Sequence, residues 1–178
     1  MSQRVLGIDP GSRLAGWGVV EHAASAVRHV DNGVLVLDAD APLCDRLLAI
    51  HDGVSALIAR YAPSVVAVEG VFVARNVGSA MKLGQARGAA LVAASRAGLP
   101  VFEYAPAEVK LSVVGHGRAE KSQIQAMIRI ILGLPQVAQA DASDALAVAI
   151  CHCQRAGGPA AIASREHCIG SGRPAEAP

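Results

Sequence analysis

Arg4-Val-Leu-Gly-Ile-Asp9, followed at once by Pro10-Gly11 and then by Gly16-Trp-Gly-Val-Val-Glu21, decides how the rest of the chain is read. The first run is a short buried strand, and Pro-Gly is a turn pair that stops it. Asn32-Gly-Val-Leu-Val-Leu37 continues the β character, so the chain opens on a three-strand antiparallel meander. The period then changes. Leu47, Ile50, Val54, Leu57 and Tyr61 recur at steps of three and four, one face of an amphipathic helix, and Pro63 stops it. Ser64-Val-Val-Ala-Val-Glu69 is a fourth strand, 79–97 a helix ending at Gly98, and Pro100-Val-Phe-Glu-Tyr104 a fifth strand. Three helical stretches follow, near 106–113, 120–132 and 141–155. Three strands followed by strands alternating with helices imply an α/β fold, a five-stranded mixed sheet flanked by helices. The strands joined through helices run parallel with right-handed crossovers. Residues 1–155 read as one domain, and 156–178, rich in Gly, Pro, Ala and Ser without periodicity, as a flexible tail.

Composition agrees with one packed domain. The 178 residues are 52% hydrophobic but only 3% aromatic, so the core is built from Ala, Val, Leu and Ile. No apolar run approaches the roughly 18 residues of a membrane span, and the start lacks a signal peptide's apolar stretch. The expectation is a cytoplasmic protein with four reduced cysteines. Cys151-His152-Cys153 is too tightly spaced, and too short of a second close pair, to be read as a zinc site. Charge is uneven. Residues 1–72 carry net −3, residues 73–140 net +5 and residues 141–178 net −1. A basic middle between acidic stretches suits a polyanion surface beside a carboxylate cluster.

Four acids stand out. Asp9 and Glu69 each end a strand. If those strands are parallel neighbours, both carboxylates emerge at the carboxyl edge of the sheet, where such sheets place ligands. Asp141 and Asp144, three residues apart at the start of the last helix, share one helical face. Asp141 also fits the N-cap of a capping box with Asp144 near its third position, a reading compatible with a site. Four converging carboxylates repel one another until cations sit among them, and hard oxygen donors suit Mg²⁺ or Mn²⁺. Two such ions suit in-line attack on a phosphodiester.

Gly7-Ile-Asp9-Pro-Gly-Ser12 with Gly16-Trp17-Gly18, Val68-Glu69-Gly-Val-Phe72 and Lys82-Leu-Gly-Gln-Ala-Arg-Gly88 resemble, in order, the RuvC family of Holliday-junction resolvases. So do Val113-Val-Gly-His-Gly-Arg-Ala-Glu-Lys-Ser-Gln123 and Gln139-Ala-Asp141-Ala-Ser-Asp144-Ala-Leu-Ala. The resemblance implies a ribonuclease-H-like fold and a homodimer that cuts opposed strands of four-way junction DNA in recombination and repair, with two Mg²⁺ ions per subunit. It implies partnership with the RuvA–RuvB branch-migration complex. The family's catalytic carboxylates fall on Asp9, Glu69, Asp141 and Asp144, its aromatic wedge on Phe72, and its DNA-binding and catalytic lysines on Lys110 and Lys121. Gly70 departs from the glutamine frequent in relatives. Arg75, Asn76, Lys82 and Arg118 are the further candidates for contacts to DNA, with phosphate contacts fixing position rather than sequence. Gly84 and Gly88, four apart on the 79–97 helix, allow another helix to approach, and that helix is the candidate dimer contact, with packing on its own sheet the alternative.

Two other readings compete. A sugar-kinase- or actin-like ATPase opens on a similar strand-turn-strand, but it needs a second lobe that 178 residues do not supply. A junction-binding protein without catalysis accounts for the basic middle and Phe72 but leaves the four acids unexplained.

Overall fold

A computed structural model of the chain describes residues 2–23, 26–70 and 77–156. The elements run β1 (Gln3–Asp9), β2 (Leu14–Ala23), β3 (Ala26–Val36), α1 (Leu43–Tyr61), β4 (Val65–Glu69), α2 (Val77–Arg96), β5 (Val101–Tyr104), α3 (Pro106–Val114), α4 (Lys121–Leu132) and α5 (Ala140–Ala156). They form the expected five-stranded mixed sheet, in the order β3-β2-β1-β4-β5. β1, β2 and β3 are the antiparallel meander, while β1 with β4 and β4 with β5 are parallel.

Alternation along the central strands sorts side chains into two cores. Val5, Val65 and Ala67 face α3, α4 and α5 with Ile128, Leu146 and Ile150. Leu6, Ile8, Val66 and Val68 face the other way, toward Ile50, Val54 and Leu57 of α1 and the alanines Ala86, Ala90, Ala93 and Ala94 of α2. A strand covered on both faces must be apolar throughout, which is why Ser64–Glu69 reads as a continuous run. Each fully buried Leu or Ile contributes about 1.5–3 kcal/mol.

Two expectations need correction. β3 begins at Ala26, not near residue 32. It is an edge strand with one side open, so Arg28, His29 and Asp31 interleave with Val27 and Val30 and hide its first half from a search for apolar runs. α5 begins at Ala140, so Asp141 lies inside the first helical turn and is not the N-cap. Of the tail expected over 156–178, Ala156 is instead the last residue of α5, and residues 157–178 lie outside the described residues. His152 and its flanking cysteines are buried in α5. His152 Nδ1 meets the Tyr104 hydroxyl at 2.8 Å, and burial pushes the ring's pKa down to about 4, so it is neutral in the core.

Candidate active site

The site begins with strand register. Ile8 lies beside Val68 in the parallel β1–β4 ladder, so Asp9 and Glu69 are the next residues on neighbouring strands. Both leave the sheet at its carboxyl edge, where the crossovers of an α/β sheet open a crevice.

Helix α5 brings the other two acids, and three glycines determine how close it comes. Gly7 of β1 pairs with Gly18 of β2, and Asp9 with Gly16. A Cβ on Gly7 would lie 2.1 Å from the Ala145 carbonyl oxygen, and one on Gly16 would lie 2.0 Å from the Asp141 carbonyl oxygen. One on Gly18 would strike Leu146 at 2.6 Å. The helix therefore rests on bare backbone, and its first turn and the residue just after it deliver Asp141 and Asp144 to the end of β1. In the strand pattern these three glycines read only as strand residues. Their spacing, one on β1 and two at alternate positions on β2, was the available signal for a helix seat.

Helices α3 and α4 form the opposite wall. Their lysines Lys110 and Lys121 line a cleft of about 210 Å³ together with Glu69, Asp144, Pro106, Val109, Ile124 and Ala147. Lys121 Nζ donates to Asp144 Oδ2 at 2.7 Å. An ion pair between Arg155 and Glu108 ties α5 to α3, while the Glu108 carboxylate also accepts the Ala105 N–H at 2.9 Å. On the other side, the Gly70 N–H donates to the Tyr104 carbonyl at 2.8 Å, continuing the β4–β5 ladder past Glu69. A Cβ on Gly70 would come within 3.0 Å of Glu103 Oε1, and Glu103 is held in place by Arg87. The space beside the departure from the family pattern is thus filled by a paired carboxylate, a feature that one sequence does not reveal.

Electrostatics report the convergence. Burial, then the charges of Glu69, Asp144 and Asp141, push the Asp9 pKa up to about 7, against the opposing pull of Lys121. Burial and Asp144 raise Glu69 as well, opposed by Lys110 and Lys121. The sign of the consequence follows. Between the ordinary value of 3.8 and about 7 the folded chain holds a proton on Asp9 that the unfolded chain has lost. Metal-free stability therefore falls as pH rises through that window, by on the order of 4 kcal/mol for this group. Thermal melts in chelator at pH 4.5 and pH 8 should show the parent losing stability on this limb and Asp9→Asn losing much less. Parallel profiles for the two proteins would refute the coupling.

Among the described residues no three His, Cys, Asp or Glu side chains lie close enough to share one ion as they stand. The donor set nevertheless fits a hard divalent cation, since it is wholly carboxylate and carries charge that burial leaves poorly balanced. Of the residues singled out from sequence, Asp9, Glu69, Asp141, Asp144, Lys110 and Lys121 meet at one edge of the sheet. Lys82 and Arg118 are exposed, on α2 and in the α3–α4 connection. Phe72, Arg75 and Asn76 lie outside the described residues.

Comparison with known proteins is decisive. The family model for the crossover junction endodeoxyribonuclease RuvC matches residues 5–152. The chain belongs to the RuvC family. A RuvC of Syntrophotalea carbinolica is 58% identical over 149 residues, 84% of this chain and 92% of its own. A Thermus thermophilus RuvC structure superposes with TM-score 0.81 at 37% identity, over 91% of this chain and 98% of its own. T. thermophilus RuvC in complex with Holliday junction substrate gives TM-score 0.80 at 40% identity, covering 84% and 92%. The ribonuclease-H-like fold is thereby established, and the chain is a crossover junction endodeoxyribonuclease, a Holliday-junction resolvase of recombination and repair. RuvC enzymes are metal-dependent nucleases. The ATPase and non-catalytic readings fall with this membership. Among the described residues no helix is long and apolar enough to cross a membrane.

Proposed function

We propose that Asp9, Glu69, Asp141 and Asp144 hold two Mg²⁺ ions, for which Mn²⁺ can substitute, and that the RuvC chain cuts a four-way DNA junction by paired symmetric nicks. When bound, the ions supply an activated hydroxide and neutralise the leaving oxygen of an in-line displacement. The carrying observation is that the half-buried Asp9 carboxylate feels three other carboxylates at the edge where β1 and β4 end. The protein's own part is to fix those four acids on two strands and one helix. Lys110 and Lys121, on the opposite wall of the cleft, face the phosphate and offset the charge that builds on it. Phe72 stacks on an unpaired base, a contact worth about 1–3 kcal/mol. Arg75, Asn76, Lys82 and Arg118 extend the contact surface along the DNA, so binding weakens with salt.

The likeness to a T. thermophilus RuvC solved with its junction supports the same substrate here. A homodimer supplies the second cut, because two opposed strands require two sites related by a two-fold axis. The outer face of α2 supports this role for that helix. Val77, Met81 and Val92 are exposed there. Nothing lies within 4 Å of where a Cβ on Gly84 or Gly88 would stand, so that stripe does not pack on its own sheet. The working partner is the RuvA–RuvB complex, and the setting is the cytoplasm.

The test is an end-labelled synthetic junction incubated with the purified protein, with Mg²⁺ or with chelator, its products mapped to the nucleotide. Nicks placed symmetrically on two opposed strands, only with metal and without nucleotide, are expected. Cutting in chelator, or scattered single nicks, would overturn the reading.

A further inference from the structure

Lys121 is the first residue of α4, and a lysine at a helix start ordinarily extends into water, away from the positive end of the helix dipole. Here it reaches across to α5 and places Nζ 2.7 Å from Asp144 Oδ2. The side chain is nonetheless 56% exposed, so it is held by this contact rather than by packing. Its charge reaches the whole cluster: it acts on Asp9 and on Glu69, and Asp144, Asp141 and Asp9 act on it in turn. Lys110 lines the same cleft and its charge acts on Glu69, but no hydrogen bond from it to any of the four acids matches the one Lys121 makes to Asp144. Among the described residues, no three of the acids stand close enough to share one ion as they lie. A cation already stands among them, and it is an ammonium.

We propose that Lys121 is a placeholder cation: its ammonium sits on Asp144 in the metal-free chain, and a divalent ion taking Asp144 displaces it. The inference rests on the proposed role of the four carboxylates. Its physical basis is that two cations on one carboxylate repel each other in a partly desolvated site. Asp144 therefore exchanges one for the other. A flexible four-carbon stem and a solvent-exposed side chain let Lys121 leave without disturbing α4. Once released, its charge is free to turn toward the DNA strand that enters the cleft. The same residue thus keeps the acids from repelling one another before metal arrives and yields its place afterwards.

The experiment is Mn²⁺ titration of the full chain without DNA, followed calorimetrically, for the parent, Lys121→Gln, Lys110→Gln and Asp144→Asn. Lys121→Gln should bind Mn²⁺ about three- to tenfold more tightly than the parent, since the ion no longer has to displace a bonded ammonium. Lys110→Gln, which removes equal charge from the same cleft, should change affinity by about twofold or less. Equal tightening in both lysine variants would reduce the effect to a general field and overturn the placeholder. Unchanged or weaker binding in Lys121→Gln, with parental binding still lost in Asp144→Asn, would overturn it alone. Mn²⁺ binding that is indifferent to Asp144→Asn would remove the carboxylate reading and this inference together.

Discussion

Asn in place of Asp9 or of Asp144 should reduce junction cleavage by about 10²–10⁴-fold, because a metal centre supplies several kcal/mol of transition-state stabilisation and each 1.36 kcal/mol is a factor of ten. Junction binding should survive or tighten. Each substitution removes a negative charge from a cleft that must accept a polyanion, and neither side chain belongs to the aliphatic core. The two variants differ in a useful way. Asp9→Asn relieves a carboxylate held at a raised pKa by its neighbours, whereas Asp144→Asn also deprives Lys121 of its bonded partner. Cleavage of a labelled junction alongside a gel-shift measurement separates chemistry from binding. A near-parental nicking rate in either variant would mean that these acids do not carry the reaction.

Alanine at Gly16 is the second large effect. Its Cβ would stand 2.0 Å from the Asp141 carbonyl oxygen and 2.3 Å from the carbonyl carbon. These are backbone atoms of a helix, which cannot turn aside as a flexible side chain can, so α5 must lift from the β1–β2 hairpin. Overpacking of this kind costs about 1–3 kcal/mol or more, which for a chain of this size lowers Tm by roughly 2–4 °C per kcal/mol. Cleavage should fall further than stability, since the residue displaced is one of the four acids. Gly84→Ala makes the contrast. It lies mid-helix with no atom of its own chain within 4 Å of the added carbon, so it should stabilise the single-chain fold by about 0.5–1 kcal/mol, and any loss of cleavage it causes would report on the proposed α2 dimer contact instead of the α5 seat. Thermal melts and junction cleavage on both variants check the pair. A Gly16→Ala protein that melts and cuts like the parent would show that the helix seat has slack.

Much of this architecture was legible from local chemistry. The runs ending in Asp9 and Glu69 are apolar because both faces of β1 and β4 are covered, and the step of three and four through Ile50, Val54, Leu57 and Tyr61 marks the buried face of α1. The edge strand β3 was half hidden because one of its sides meets water. The acids could be named from their places at strand ends and on a helix, and their roles then rested on resemblance to RuvC. What stayed illegible depends on approach between distant segments. The glycines under α5, the Lys121–Asp144 bond across 23 positions and the Glu103 carboxylate lying over Gly70 are all contacts that no local periodicity encodes. Asp141 shows the same limit in reverse. A capping spacing suggested a helix boundary, and the helix had already begun one residue earlier.

The seating of α5 on glycine separates two things that most enzymes mix. The gap between strand-borne and helix-borne acids is set chiefly by main chain lying against main chain at Gly7 and Gly16, with the Leu146 side chain over Gly18 completing the seat. Exchanges among the valines and leucines on the far side of the sheet can therefore accumulate without retuning the reactive centre. In a chain whose interior is almost wholly aliphatic, repacking within that interior should leave the spacing used for chemistry in place.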